Sequence, residues 1–335
     1  MKTNKEFLEE LLNTNKNNLN FIADLANYLR SPFSLISSPK STYNHEIKTE
    51  IIDSFVENVP NVLDNENTKK YLNKCLRAKN ITKFKEDKYI KLLNEISYSN
   101  LTQKPIKPYE IFVAGNSYFQ FDDNKFFINL GFFKEQFSYP ILNEFSLSPE
   151  YIENVDLPIK VVKGKVLILG LKLGYFTCMA SYKNDVKEIY VAEPNKDLIN
   201  FFETNVLPKI QNREKIHIIN EKPMDFIDKI NDGDFNYVFI DAWNNSKEAT
   251  SKYIAYKSRL DNFVNTQSIY YQEESIVTEL EFGVTNALLK LSENELTKKL
   301  TNYKFVNVYD YRKLFSFKGL LEIYKKWYSF LLFGV

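Results

Sequence analysis

Glycine is scarce in this chain, nine in 335 residues, yet Gly164, Gly170 and Gly174 fall within eleven positions. They frame Lys165-Val-Leu-Ile-Leu169, a continuous apolar run of the kind a strand buried on both faces requires. A loop of residues without Cβ between such a strand and a helix lets a ligand approach the backbone, and free N–H groups at the helix start favour anionic groups. Glu193 closes a second apolar run, Ile189-Tyr-Val-Ala, nineteen residues beyond Gly174. A carboxylate there can accept both ribose hydroxyls of a nucleoside, or be a solvated loop carboxylate. Asp241 ends Val238-Phe-Ile-Asp-Ala-Trp243 and is the candidate catalytic residue. It could orient an amine or act as a general base, or it could be a carboxylate favoured by a helix N-terminus. Trp243 either walls a pocket or is simply packed. Cys178 sits one turn into the helix after the glycine loop with no histidine beside it, which favours a small buried role. With only Cys75, Cys178, His45 and His217, no disulfide framework or zinc cluster is expected.

Alternating strands and helices must position these groups. Strands are expected at Lys165–Leu169, Ile189–Ala192, Ile216–Ile219, Phe235–Ile240 and Ser268–Tyr271. Helices are expected through Phe176–Ala180 and at Asp197–Val206, Met224–Ile230 and Ser246–Leu260. This alternation predicts an α/β fold: a Rossmann-like parallel sheet with helices on both faces, binding ligands outside the carboxyl ends of its strands. Residues 150–275 form that unit. An α-helical region (1–104) precedes it, with apolar stripes at Phe7, Leu8, Leu11 and Leu12, at Phe21, Ile22, Leu25, Tyr28 and Leu29, and over Glu46–Val59. Asn67–Ala78 and Lys83–Ile96 read as two further helical segments. Pro105 and Pro108 read as a linker, and 105–149 as a short β-rich hairpin segment. Residues 276–335 read as a C-terminal α/β extension packed on the core, closing on the apolar stretch Trp327–Val335.

The runs Lys165–Gly174, Ile189–Glu193 and Val238–Asp241 resemble the first, second and fourth motifs of class I S-adenosylmethionine-dependent methyltransferases. The β-rich stretch upstream is similar to the N-terminal strands of spermidine synthase-like members. The resemblance covers about a third of the chain. It implies that Gly170 and Gly174 hold the amino-acid end of S-adenosylmethionine and that Glu193 holds its ribose. Ile168 stands where the family usually has an acid, and Lys172 replaces the central glycine of the loop. Lys172 either pairs with the cofactor carboxylate or fills the space the cofactor needs. Lys222 falls where an acid often holds the adenine amine, with Asp225 slightly later. Asp241 lacks the adjacent second acid expected for aminopropyl transfer, which argues against polyamine synthesis. A nicotinamide fingerprint would need glycine at 172 and 175, and no P-loop sequence is present. Two functions remain open: a methyltransferase acting on an unidentified small molecule, peptide or protein, and an inactive relative that binds a nucleoside ligand or a protein.

Composition bounds the rest. Forty-four basic and forty-three acidic side chains give a formal charge of +1, so no nucleic-acid partner is expected. The charged amino terminus has no signal-peptide core and no stretch is long enough to span a membrane, so a cytoplasmic location is expected. The helical region at the start is the expected surface for a homo-oligomer or protein partner.

Overall fold

The computed structural model describes residues 3–30, 44–58, 65–115, 117–120, 125–244 and 246–300, with 304, 310 and 311. In chain order the helices are α1 (Asn4–Arg30), α2 (Asn44–Asn58), α3 (Asn65–Cys75), α4 (Ile81–Lys85) and α5 (Lys88–Asn94). There follow α6 (Pro149–Val161), α7 (Tyr175–Ser181), α8 (Lys196–Phe201), α9 (Pro223–Ile227), α10 (Ser246–Leu260), α11 (Glu273–Leu289) and α12 (Glu293–Lys299). The strands are β1 (Leu76–Ala78), β2 (Leu101–Ile106), β3 (Phe112–Val113), β4 (Tyr118–Gln120), β5 (Lys125–Phe127), β6 (Leu130–Phe132), β7 (Phe137–Leu142) and β8 (Phe145–Ser146). The last five are β9 (Gly164–Leu169), β10 (Val186–Ala192), β11 (Ile216–Ile219), β12 (Tyr237–Ile240) and β13 (Gln267–Tyr270).

The five late strands form one parallel sheet in the order β11-β10-β9-β12-β13. Numbered along the chain this is 3-2-1-4-5, the Rossmann arrangement, with its topological switch point between β9 and β12. Alternation along each strand sends side chains to two cores. Val166 and Ile168 of β9 and Phe239 of β12 pack with Phe176 of α7, Phe201 of α8 and Tyr151 of α6. Phe176 and Phe239 stack with centroids 3.9 Å apart. Leu167, Leu169, Val238 and Ile240 face the other way, onto Ile227 of α9, Tyr253 of α10 and Leu280 of α11. At roughly 1.5–3 kcal/mol for each large apolar side chain buried, these two layers are the main stabilisers of the unit.

The expected helical start differs in detail. Phe7, Leu8 and Leu11 of α1 join the core beneath α11, so this helix packs on the sheet unit. The segment read as a helix to Ala78 ends at Cys75 and continues as β1, paired in parallel with β6. Lys83–Ile96 is two short helices, because the Asp87 carboxylate caps α5 by accepting from the N–H of Tyr89 and of Ile90. Pro105, read as linker, lies inside β2, opposite Ser138 of β7. β2 is the edge of the order β2-β7-β8, the place in a sheet where proline is tolerated because alternate N–H groups face away from the neighbouring strand. The junction drawn at 104 and 105 therefore falls within a paired strand. The helix expected to Val206 changes at Phe202 into a π-helical turn, Phe202–Val206. The carboxyl-terminal region is helical as far as it is described, and Trp327–Val335 lies outside the described residues. No helix among the described residues is long and apolar enough to cross a membrane.

Candidate functional site

The sheet register sets the site. Ala192, Leu169, Ile240 and Tyr270 are neighbours across β10, β9, β12 and β13, so the next residues line up along the carboxyl edge. That row runs Glu193, Gly170, Asp241, Tyr271, and main-chain bonds continue the ladder into it, as from Asp241 N–H to Leu169 O and from Tyr271 N–H to Ile240 O. With strands about 4.8 Å apart, Asp241 lies beside Tyr271, whereas Glu193 stands two strands away, roughly 10 Å.

The glycine loop is packed by the protein itself. Gly170 has φ +98, and a Cβ there would collide with the Asp241 carbonyl oxygen, so glycine is what lets the two main chains meet. A Cβ at Gly174, φ +79, would collide with the Phe202 ring and the Tyr89 hydroxyl. That hydroxyl donates to Leu173 O, and the Tyr175 hydroxyl donates to Asp87 Oδ2 at 2.9 Å, so helix α5 is fastened to the loop. Buried Glu193 braces the loop from the other side. Its Oε2 accepts from Leu171 N–H and its Oε1 from Asn195 N–H, both at 2.9 Å.

Lys172 holds φ +51, a left-handed conformation suited to the glycine it replaces. Its side chain turns across the switch point. The ammonium donates to Trp243 O at 2.5 Å and to Asn244 Oδ1 at 3.3 Å, and it stands 3.6 Å from Asp241 Oδ1. It also lies 5.2 Å from the Phe145 ring centroid, within cation–π range. Asp241 is 1% exposed, and neither of its oxygens makes a well-formed hydrogen bond. Burial pushes its carboxyl up to about 6, while Lys172 and Tyr151 pull it down and Glu193 adds to the rise.

These two residues line a cavity of about 330 Å³ at the carboxyl ends of β12 and β13. Its other walls come from β8, the first turn of α6 and the first turns of α11, including Phe145, Glu150, Tyr151 and Gln272. Ser148 caps α6, with Pro149 and Glu150 in its first turn. Glu150 Oε1 accepts from Gln272 Nε2 at 2.9 Å, and burial pushes the Glu150 carboxyl up to about 7. No lysine or arginine among the described residues pairs with it. Gln272 is itself left-handed at φ +52, at the turn from β13 into α11. Glu150, Asp241 and Tyr271 all line this one space, and burial, with the two carboxyl charges, pushes the Tyr271 hydroxyl up.

Of the residues singled out in the sequence, the structure brings Lys172, Asp241 and Trp243 together in this cavity. Gly170 and Gly174 shape the loop behind it, and Glu193 lies beyond them. Asp225 is exposed on the first turn of α9, and Lys222 immediately precedes that helix. Ile168 points into the core. Cys178 is buried with its thiol pushed up to about 12, and Cys75 likewise, so both are inert small side chains. His217 is exposed and packs 4.7 Å from the Tyr190 ring. The described residues contain no group of three metal-ligating side chains. Sequence reading missed Glu150, Tyr151 and Gln272. The signal for the first two was Ser148-Pro-Glu150, a helix start that aims its first turn somewhere.

S-adenosylmethionine is the group that the sequence resemblance implies for this loop. The loop position that resemblance reserves for glycine carries a lysine whose ammonium is bonded inside the crevice. Each Glu193 oxygen accepts one main-chain N–H and keeps a lone pair for a further donor. As arranged, Glu193 retains acceptor capacity for that group's ribose, but the Lys172 side chain, bonded across the crevice, does not fit the group.

No family model and no curated protein matches the chain. Among solved structures it is similar to a spermidine synthase from Thermotoga maritima, at 15% identity and a TM-score of 0.29, over 36% of this chain and 46% of that one. A spermidine synthase in complex with the transition state analogue AdoDATO is similar at 16% identity and a TM-score of 0.27, over 35% and 43%. The chain thus spans less than half the length of either. The α/β fold itself rests on the five-stranded parallel sheet described above.

Proposed function

We propose that this chain is a Rossmann-fold binding protein that takes a small amine-bearing molecule into the cavity beside Asp241, with the crevice at its glycine loop closed by Lys172. The observation that carries this reading is Glu150, a carboxyl in the cavity wall with one hydrogen bond, from Gln272, and no cation beside it among the described residues. A carboxylate drawn out of water without a counter-charge is costly, and an ammonium offers both that charge and further N–H donors. The rings of Tyr151, Tyr271 and Phe145 supply apolar walls for the carbon chain of such a ligand.

Calorimetry at pH 8 tests it, with butylamine as the probe and S-adenosylmethionine and S-adenosylhomocysteine as comparators. Butylamine should bind the wild-type chain, and the two nucleosides should give no heat. Nucleoside binding with no butylamine binding would overturn the reading. It would favour a methyltransferase acting on an unidentified acceptor, a second reading that has Asp241 in its support. A carboxyl held near 6 is suited to take a proton from an acceptor.

A further inference from the structure

The sequence resemblance reserves the middle of the glycine loop for a residue without a side chain, and the backbone there still has a left-handed φ of +51. The lysine in that place is unusually well held for such a flexible side chain. Its ammonium has Trp243 O, Asn244 Oδ1 and Asp241 Oδ1 around it and the Phe145 ring beside it. Its side chain is 14% exposed, against 1% for Asp241. Asp241 is thus a buried anionic subsite already occupied by a cation of the same chain. Glu150, in the wall of the same cavity, has no such occupant among the described residues.

We propose that Lys172 determines the specificity of this cavity, filling the Asp241 subsite as a tethered ammonium so that molecules with one amine are admitted and those with two are excluded. This rests on the amine-binding reading above. A ligand whose first ammonium reaches Glu150 finds only one carboxyl available. A second ammonium in the same molecule would approach Lys172 in a space of low dielectric, where like charges repel strongly. A tethered group also competes at high effective concentration, so no free amine at ordinary concentration displaces it. The groups facing Asp241 are Lys172 from the loop, Tyr151 from α6, Glu193 from the end of β10 and Tyr271 after β13. Lys172 is the only cation among them. Its removal leaves a buried carboxylate uncompensated, the circumstance in which an incoming ammonium gains most.

The test is titration calorimetry at pH 8 of butylamine and diaminobutane into wild type, Lys172→Met and Lys172→Met with Asp241→Asn. Lys172→Gly, which suits the backbone at φ +51, replaces Lys172→Met where that variant is unstable. Wild type should prefer butylamine by at least tenfold. Lys172→Met should bind diaminobutane at least tenfold more tightly than wild type does, and the added Asp241→Asn should abolish that gain. Butylamine binding by wild type with an unmoved ratio in the variants overturns this inference alone. A gain for diaminobutane that survives Asp241→Asn also overturns it, because enlargement of the cavity would then be the cause. Absence of any amine binding in wild type and variants overturns the amine reading and this inference together.

Discussion

Replacing Glu150 with glutamine should separate its charge from its shape. Glutamine keeps an Oε1 acceptor for Gln272 Nε2, so the turn into α11 is preserved while the anion is lost. An ammonium bound by this carboxylate makes a charge-assisted hydrogen bond worth roughly 1.5–3 kcal/mol, so Glu150→Gln should weaken butylamine about 10–150-fold. The pH dependence is sharper. With its carboxyl pushed up to about 7, wild type is mostly ionised at pH 8 and mostly protonated at pH 6. Butylamine, with a pKa of about 10 like lysine, stays an ammonium throughout. Affinity should therefore fall about tenfold from pH 8 to pH 6 in wild type and stay flat in Glu150→Gln. Stability should move in the opposite sense. A carboxyl raised from 4.5 to about 7 binds its proton more tightly when folded, so its contribution is fully present below pH 4.5. That contribution is lost as the pH rises through 7, with a ceiling of roughly 3 kcal/mol before solvent screening reduces it. Calorimetry at pH 6, 7 and 8, with urea denaturation at the same pH values, measures both. Equal butylamine affinity at pH 6 and 8 in wild type, or an unchanged slope in Glu150→Gln, would refute the assignment of the ammonium to Glu150.

Two further expectations concern the loop behind the cavity. Gly174→Ala adds a Cβ at φ +79 against the Phe202 ring and Tyr89 hydroxyl, so overpacking and left-handed strain together should destabilise the fold by about 2–4 kcal/mol in urea. A loss under about 1 kcal/mol would mean that α5 and the loop are not in contact. Glu193→Gln turns an amine toward one of the two main-chain donors now bound, Leu171 N–H or Asn195 N–H, at a penalty of about 1–3 kcal/mol. Hydrogen exchange at those two amides should quicken, and unaltered protection would return Glu193 to a free ligand-binding role.

The sheet was legible because its signals are local. The apolar runs now in β9, β10 and β12, each bounded by a turn or a charged residue, specify buried strands without reference to anything distant. Their carboxyl ends follow from chirality and connection rules. The cavity is not local. Glu150 and Gln272 meet across 122 positions, and that meeting depends on β13 lying beside β12 and on α6 crossing the same edge. Neither fact has a period or spacing to betray it. Glu193 shows the opposite limit. Its position at a strand end was readable, but the two main-chain donors it braces, Leu171 N–H and Asn195 N–H, depend on the loop conformation and were not. In the early region, short paired strands such as β1 and β2 were hidden because three to six residues carry too little alternation. Pro105 also signals a break except at a sheet edge.

Backbone strain links the two halves of the site. Four non-glycine residues among those described have positive φ: Tyr109, Asn143, Lys172 and Gln272. The last two both line the cavity, and each is kept in place by its own side chain. Lys172 is held by Trp243 O and Gln272 by Glu150 Oε1. A left-handed residue with a side chain carries about 1–2 kcal/mol of strain and persists only where its surroundings over-determine it. At both positions the over-determining bond ends on a wall of the same cavity. Relaxation of either residue would therefore remove the ammonium from Asp241 or free Oε1 of Glu150. A stable loop alone would favour glycine at 172, which adopts that φ without steric strain. The lysine is better explained by what its ammonium does at Asp241 than by the backbone it strains.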